Sequence, residues 1–279
     1  MRFVRCIFFL LLTHHLYGEP DPRAIREIPI QFRDGHLWAK VNIAHRSEPL
    51  DFLVDSGASV SVVNLGTANR LGLELGGKVK VSGIRATVNG YWPVALPAKA
   101  GRVDLPSQYL ALDLSKLSRA CGRSVDGLLG ADFFRDRVIQ IDYRSEKLRI
   151  LDKAPLEAGA SVVPLQVRRC GLRVSLEING SRGQWVRLDT GCATALHWVT
   201  SKVSAAECTT RPAVGLTETS FPHTSTRVRL GAEKLNAVQT AIHRRHIFPG
   251  ESGLLGNGLL VRFGVVTIDA RSGRLFLGH

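Results

Sequence analysis

Two short triplets in this sequence have the composition of a hydrolytic site. Residues 55–57 read Asp-Ser-Gly and residues 189–191 read Asp-Thr-Gly, and each triplet directly follows an apolar segment, DFLV or WVRL. Two carboxylates within hydrogen-bonding distance cannot both ionise easily, so they share a proton. One then acts as a general base on water and the other as a general acid for a carbonyl oxygen. Brought together, the triplets therefore predict metal-free hydrolysis of a peptide bond.

The triplets occupy equivalent places in an internal repeat, which is the feature that predicts their meeting. Residues 28–58 (IPIQFRDGHLWAKVNIAHRSEPLDFLVDSGA) and 163–192 (VPLQVRRCGLRVSLEINGSRGQWVRLDTGC) share a Pro-containing strand, a turn with Gly and an alternating strand. Each half also contains Gly-Leu-Leu-Gly, at 127–130 and 253–256, followed by Ile-Asp and Arg-Ser. Repeated units of this kind pack through equivalent surfaces. A pseudo-two-fold axis between them would place Asp55 beside Asp189.

The elements around these motifs predict an all-β fold of two similar lobes with few short helices. Short alternating runs are separated by Gly-containing turns, with tight hairpin turns at 144–147 and 271–274. A short helix is expected at Gly66–Leu71, and the segment Leu196–Cys208 is a second helical candidate. The predicted domains are an N-terminal lobe at 19–153, a linker at 154–160 and a C-terminal lobe at 161–279.

These motifs resemble those of the retropepsin-like aspartic proteases, specifically the exported bacterial type with two tandem lobes in one chain. DSGAS (55–59) and DTGCA (189–193) are similar to the two active-site motifs, and VDGLLGADFF (125–134) and SGLLGNGLL (252–260) to the segments packed behind them. The resemblance implies two pepsin-type β-barrel lobes, an endopeptidase of peptides or proteins, no metal or organic cofactor, and a monomer. It assigns catalysis to Asp55 and Asp189, and support of the active-site loops to Ser56, Gly57, Thr190 and Gly191.

The resemblance also implies a β-hairpin flap over the substrate in each lobe. The first is expected at residues 81–91 (VSGIRATVNGY), with its tip at Gly83 or at the Asn89-Gly90 turn. Its substrate-binding residues would be Gly83, Ile84 and Arg85, which replace the usual glycine-rich tip. The second flap is expected at Ala213–Phe221, with Gly215 in contact with substrate.

The residue three positions after each Asp predicts the working pH. In pepsin-like relatives this residue is commonly Thr or Ser, whose hydroxyl can stabilise the ionised carboxylate, but here the two positions hold Ala58 and Cys192. Fewer donors to the charged form leave the pKa of a carboxyl less depressed. We therefore expect a pair that works at a milder pH than a strongly acid protease.

Residues 1–18 predict export. A positive segment (MRFVR) precedes a compact apolar run (CIFFLLLT), which is too short to span a bilayer stably, so no stable membrane insertion is expected. A signal peptide of this kind implies a periplasmic or secreted protein, where disulfides can form. After its removal four cysteines remain, and either a Cys192–Cys208 bridge or free thiols fit the sequence. The other two are Cys121 and Cys170.

The strongly basic composition raises the question of nucleic-acid binding. The net charge is +13, from 37 Lys+Arg against 24 Asp+Glu. The basic residues are scattered and no nucleic-acid-binding motif accompanies them, so no nucleic-acid partner is expected. His243 and His246 have the spacing of metal ligands without a carboxylate or Cys cluster to complete a site, so no metal is expected.

The alternative to a protease is a catalytically inactive protein of the same fold that binds peptides or acts as a scaffold.

Overall fold

A computed structural model describes residues 26–44, 46–83, 86–155, 160–203, 209–214 and 218–278. The predicted signal peptide and positions 156–159 of the predicted linker lie outside the described residues, and the domain boundaries stay predictions. In the described part of the chain, no helix is both long and apolar enough to cross a membrane.

In its described residues, the N-terminal half consists of short strands with three one- to two-turn helices. Its elements are β1 (Arg26–Arg33), β2 (His36–Ile43), β3 (Leu50–Val54), β4 (Val62–Asn64), α1 (Leu65–Arg70), β5 (Gly77–Gly83), β6 (Ala86–Ala95), β7 (Ala98–Ala100), β8 (Val103–Asp104), β9 (Gln108–Leu112), α2 (Ser115–Ala120), β10 (Gly127–Leu129), α3 (Ala131–Phe134), β11 (Val138–Asp142) and β12 (Lys147–Leu151).

The C-terminal half repeats much of this order. Its elements are β13 (Ser161–Arg168), β14 (Gly171–Ile178), β15 (Ser181–Asp189), β16 (Leu196–Val199), β17 (Thr209–Val214), β18 (Glu218–Leu230), β19 (Glu233–His243), β20 (Gly253–Gly256), α4 (Asn257–Leu260), a 3₁₀ turn (Val261–Phe263), β21 (Val265–Asp269) and β22 (Arg274–Leu277). This strand-dominated architecture confirms the predicted all-β fold with two similar lobes.

A central antiparallel sheet joins the two halves and contains the pseudo-two-fold axis. Its strand order is β1-β12-β11-β21-β22-β13, and the axis passes between β11 and β21, where Gln140 is opposite Thr267. The outer strands β1 and β13 leave this sheet halfway along and continue into their own lobes, pairing with β2 and β14. The symmetry of this sheet is what places the two Asp-containing loops face to face.

The strand pairing within each lobe places each Asp at the end of a buried strand. In the first lobe β3 lies between antiparallel β2 and parallel β10, and in the second lobe β15 lies between antiparallel β14 and parallel β20. Strands covered on both faces read as continuous apolar runs, as DFLV does. Asp55 therefore follows β3 and Asp189 ends β15, each with a rigid backbone behind it.

Several local predictions are confirmed and two are wrong. Helix α1 forms one residue before the predicted start, with the Asn64 side chain accepting from the Gly66 N–H as its N-cap. Both predicted hairpin turns form, each closed by an Asp, Asp142 or Asp269, that accepts from backbone N–H groups two and three residues later.

The first wrong prediction is the helix proposed for the segment after the second Asp motif. Residues 196–199 instead form β16, which fills the gap between β19 and β20 because the sheet offers hydrogen-bond partners on both sides. Residues 204–208 of that segment lie outside the described residues. The second is the Asn89-Gly90 turn as flap tip. Both residues lie inside β6, opposite Lys80 and Val79, and the hairpin closes where Gly83 pairs with Ala86.

Candidate active site

The two Asp-containing loops are locked together by a reciprocal set of four hydrogen bonds. The Ser56 backbone N–H donates to Thr190 Oγ1 (3.0 Å), and the Thr190 N–H donates to Ser56 Oγ (3.1 Å). The two hydroxyls donate in turn to main-chain oxygens of the opposite lobe, Ser56 Oγ to Leu188 and Thr190 Oγ1 to Val54, both at 2.8 Å. Ser56 and Thr190 are completely buried. Because each bond crosses between lobes, this set fixes the distance between the loops.

The two glycines of the triplets let the carboxyl groups come together. A Cβ atom added to Gly57 would overlap the Asp189 carboxyl, and one added to Gly191 would overlap the Asp55 carboxyl. Each carboxyl therefore lies directly against the loop of the other lobe, and a side-chain hydrogen bond joins the two. Both Asp residues keep part of their surface accessible. Sequence symmetry alone predicted this meeting of Asp55 and Asp189.

The two carboxyl groups differ in their number of hydrogen-bond donors. Asp55 Oδ1 accepts from the N–H groups of Gly57 and Ala58, each at 3.0 Å, whereas Asp189 Oδ1 accepts from Gly191 at 3.0 Å. Burial raises the pKa of Asp55, and the two N–H donors oppose that rise. Burial and then the Asp55 charge raise the pKa of Asp189 well above its ordinary value.

The pair consequently titrates as a unit, with one proton shared over a wide pH range. The additional N–H donor at Asp55 favours the state in which the shared proton lies on Asp189. Positions 58 and 192 carry no side-chain hydroxyl, and the mild working pH stays a prediction.

Asn257 is a residue of the site that sequence reasoning missed. Its side-chain amide donates to the main-chain oxygen of Thr190 in the second Asp-containing loop and to that of Gly35 in the other lobe. Its side-chain oxygen accepts from Tyr143 Oη at 2.8 Å. Ala131 occupies the equivalent place after the first Gly-Leu-Leu-Gly. This difference between the two halves was the sequence signal that could have identified Asn257, because a polar residue at a position that is apolar in the other half needs hydrogen-bond partners.

The first expected flap is the β5–β6 hairpin. Val79, Val81 and Val88 of this hairpin pack against the apolar cluster that also contacts Ala58 and Val60 of the first catalytic loop. The hairpin base therefore lies beside the Asp55 loop. Its expected substrate-binding residues Ile84 and Arg85 lie outside the described residues, and Gly83 is the last described residue of β5. The second expected flap is the β17–β18 hairpin, in which Val214 pairs with Glu218, and Gly215 lies outside the described residues.

Cys192 lies in the second Asp-containing loop beside a buried histidine pair. Its Sγ is 3.4 Å from His197 Nε2, and His197 Nδ1 is 2.8 Å from His243 Nε2. Burial, together with the Asp189 charge, raises the pKa of the Cys192 thiol, so it is not a thiolate nucleophile at neutral pH. Among the described cysteines, Cys121, Cys170 and Cys192 form no disulfide, and Cys208 lies outside the described residues. In the described ranges, no group of three or more metal-ligating side chains is arranged to hold an ion.

His197 makes the stability of the second lobe depend on pH. Its pKa is lowered to about 3, first because burial disfavours the charged ring and then because His243 and His223 lie close by. The pKa of an unfolded histidine is about 6.5. From about pH 6.5 down to pH 3 the unfolded chain therefore binds a proton that the folded chain does not. This difference lowers the free energy of unfolding by up to about 1.4 kcal/mol per pH unit.

We expect His197→Gln to remove this contribution. Denaturant unfolding at half-unit steps between pH 3 and 7.5 should give a shallower decline toward low pH in the variant than in the wild type. His246→Gln, at an exposed histidine, is the matched control and should run parallel to the wild type. Identical pH dependence in the His197→Gln and wild-type proteins would show that His197 does not stay neutral in the folded state.

Comparisons with known proteins find similarity in part of the sequence and in the fold. A family profile for aspartyl proteases matches residues 39–133, which include the first Asp-containing loop and the first Gly-Leu-Leu-Gly. The fold is similar to that of the aspartic proteinase from Irpex lacteus, with a TM-score of 0.59 and 12% identity, over 91% of this chain and 97% of that chain. At this identity the likeness is one of fold. Comparison with curated protein sequences gave no match.

Proposed function

Since the family match and the common fold support a place for this chain in the retropepsin/pepsin-like aspartic protease family, we propose that it is an aspartic endopeptidase. The observation that carries the proposal is the pair of carboxyl groups, one from each lobe, held against the opposite loop's glycine and joined by a hydrogen bond. A folded relic would be under no requirement to keep two adjacent buried carboxyls, which oppose each other's ionisation.

The asymmetry of the pair assigns the two roles. Asp55, the carboxylate, takes a proton from a water molecule as the oxygen of that water attacks the scissile carbonyl carbon. Asp189, the acid, gives its proton to the carbonyl oxygen, so a neutral tetrahedral diol forms. In the second half of the reaction Asp55 gives its proton to the departing nitrogen. Asp189 takes one back from the diol, which collapses to a carboxylic acid. The C–N bond is broken and the dyad returns to its starting state.

The substrate would lie as an extended strand between the lobes under the β5–β6 hairpin, held by main-chain hydrogen bonds. The apolar cluster beside the first catalytic loop, with Val79, Val81 and Val88 along its edge, fits apolar side chains of the peptide. We further propose that the chain is exported to the periplasm or secreted after loss of residues 1–18, and that it acts as a monomer because both Asp loops are in one polypeptide.

Incubation of purified residues 19–279 with an unfolded protein, followed by mass spectrometry of the fragments, tests the proposal. We expect internal cleavages that a statine-containing peptide blocks and that a metal chelator or a serine-directed reagent leaves unchanged. Tight binding of the statine peptide without any cleavage would instead identify a peptide-binding protein. Cleavage insensitive to that peptide would overturn the assignment of the dyad.

A further inference from the structure

The second lobe carries three charged residues where the first lobe carries three apolar ones. In the first lobe Trp38, Leu53 and Val125 are buried in one apolar cluster beside the catalytic loop. Trp38 is opposite Leu53 across β2 and β3, and in the second lobe Arg173 is opposite Arg187 across β14 and β15.

The third member completes the correspondence. Val125 and Glu251 each precede Gly-Leu-Leu-Gly by two residues. The charged trio Arg173, Arg187 and Glu251 therefore replaces an apolar trio at the same three positions of the repeat. Packing alone does not require that replacement, because the first lobe solves the same packing problem with apolar side chains.

Arg187 and Glu251 are buried, Arg173 is partly exposed, and the polar groups of all three are engaged. The Arg187 and Glu251 side chains are 4% and 1% exposed. Arg187 binds the Glu251 carboxylate through both Nε (2.9 Å) and Nη2 (2.8 Å), and Arg173 Nε donates to the same carboxylate at 2.9 Å. The Arg187 guanidinium also lies over the Phe248 ring, 3.8 Å from its centroid. Glu251 and Phe248 therefore fix the plane of this guanidinium.

The remaining face of Arg187 reaches the other lobe. Its Nη1 donates to the main-chain oxygen of Gly57 at 2.8 Å. That oxygen belongs to the same peptide unit as the Ala58 N–H, which donates to Asp55 Oδ1 at 3.0 Å. A cation bound to the carbonyl end of a peptide strengthens the N–H end as a donor. Arg187 is thus linked to the catalytic carboxylate through one peptide group.

The charge of Arg187 favours the ionised form of both Asp55 and Asp189, against their burial. The other titratable groups facing the pair are the Cys192 thiol, whose pKa is raised by burial, and His36, whose pKa is lowered by burial, so burial disfavours a charge on either group. Arg173 and Glu251 face Arg187 itself and offset each other. The guanidinium is therefore the positive group with which the pair interacts most directly.

We propose that Arg187 is a positioning residue for the dyad: from the second lobe it orients the Gly57–Ala58 peptide against Asp55 and holds Asp55 as the carboxylate. This role rests on the proposed peptidase function for its effect on turnover, whereas its effect on the ionisation of the dyad can be measured without turnover.

The experiment compares Arg187→Met with Arg187→Lys and with a matched control, Arg149→Met. Arg149 is also ion-paired, with the carboxylates of Glu27 and Asp142, but in the central sheet away from the dyad. For Arg187→Met we expect kcat to fall about tenfold and the acidic limb of the pH–rate profile to move up by about one pH unit, the effect of losing one nearby opposite charge. Arg187→Lys should restore much of the pH limb but little of kcat, because an ammonium lacks the fork that binds Glu251 and Gly57 together. Arg149→Met should leave both unchanged.

A second variant keeps the proposal testable should Arg187→Met fail to fold. Arg187→Leu combined with Glu251→Val installs the first lobe's residues, and replacement of a buried ion pair by apolar residues is commonly tolerated. Arg173 would keep its bonds to the Pro249 and Gly250 oxygens. We expect a folded protein with the same shift in its pH limb.

Carboxyl ¹³C titration by NMR, with the dyad signals assigned from Asp55→Asn and Asp189→Asn, separates the two claims. A wild type that cleaves nothing, but whose dyad titrates at higher pH once Arg187 is replaced, would overturn the peptidase function and leave the positioning role standing. The positioning role would be overturned if the titration of the dyad and the acidic limb of the pH–rate profile were unchanged in both Arg187→Met and the double variant.

Discussion

Asp189→Asn abolishes peptide hydrolysis in our account, and at neutral pH it makes the protein more stable. The amide keeps the shape of the carboxyl and can still accept from the Gly191 N–H, but it supplies no transferable acid proton. General acid–base groups contribute about 10²–10⁴-fold to rate, so we expect a loss on the order of 10³-fold or more. Asp55→Asn should do the same, because the base is lost.

The gain in stability follows from the sign of the pKa shifts. Burial raises the pKa of both carboxyls above the unfolded value of about 3.9. Their contribution to the free energy of unfolding is therefore fully present below about pH 4, and it is lost as the pH rises through the pKa values of the carboxyls in the folded state. Asp189→Asn removes the carboxyl whose pKa is raised further, so the folded variant no longer has to hold a proton that the unfolded chain releases. Its melting temperature should therefore exceed that of the wild type at pH 7, and the gap should close toward pH 4.

Thermal unfolding at pH 4 and pH 7 with parallel activity assays checks both effects. Asp104→Asn is the control, because Asp104 is exposed and paired only with Lys99 among the described residues. It should alter neither activity nor the pH dependence of melting. Appreciable turnover by Asp189→Asn, or a lower melting temperature than the wild type at pH 7, would contradict the shared-proton description.

Gly191→Ala has the second largest expected effect, because the added methyl would occupy the space of the Asp55 carboxyl. The carboxyl must rotate away or the loops must separate, and either movement breaks the alignment of the dyad with water. Misplacement of about 1 Å costs about 10²-fold in rate, and overpacking of this kind costs about 1–3 kcal/mol of stability. Gly57→Ala should act in the same way on Asp189.

Gly66→Ala serves as the matched control for this substitution. Gly66 is exposed in α1, and the nearest atom to an added Cβ is Asn64 Oδ1 at 3.7 Å. Alanine there should leave activity unchanged and raise stability by about 0.5–1 kcal/mol. Steady-state kinetics and denaturant melts on the three variants are the measurements. A Gly191→Ala enzyme with wild-type kcat would show that the carboxyls do not lie against the opposite glycines.

The features that repeat along the chain were the ones open to prediction. Strand periodicity, the two Asp motifs and the two Gly-Leu-Leu-Gly segments are local patterns, and their duplication predicted the symmetry that brings Asp55 to Asp189. Helix α1 was predictable because its signal is local: Asn64 caps its start.

What the sequence did not reveal lies where the two copies differ or where tertiary contacts override local propensity. Residues 196–199 form a strand because β19 and β20 leave a place for one between them. Asn89-Gly90, a favoured turn dipeptide, is held inside β6 by pairing with β5. Asn257 and Arg187 act across the lobe interface, and their partners, Gly35 and Gly57, are distant in sequence.

The pH dependence of kcat/KM for cleavage of an unfolded peptide substrate, from pH 2 to 8, tests the central claim most directly. A dyad sharing one proton predicts a single bell with its maximum above about pH 3, since neither carboxyl receives a hydroxyl donor that would depress its pKa strongly. Asp55→Asn and Asp189→Asn should show no activity at any pH. A maximum below about pH 3, or a bell that survives in either variant, would contradict the account.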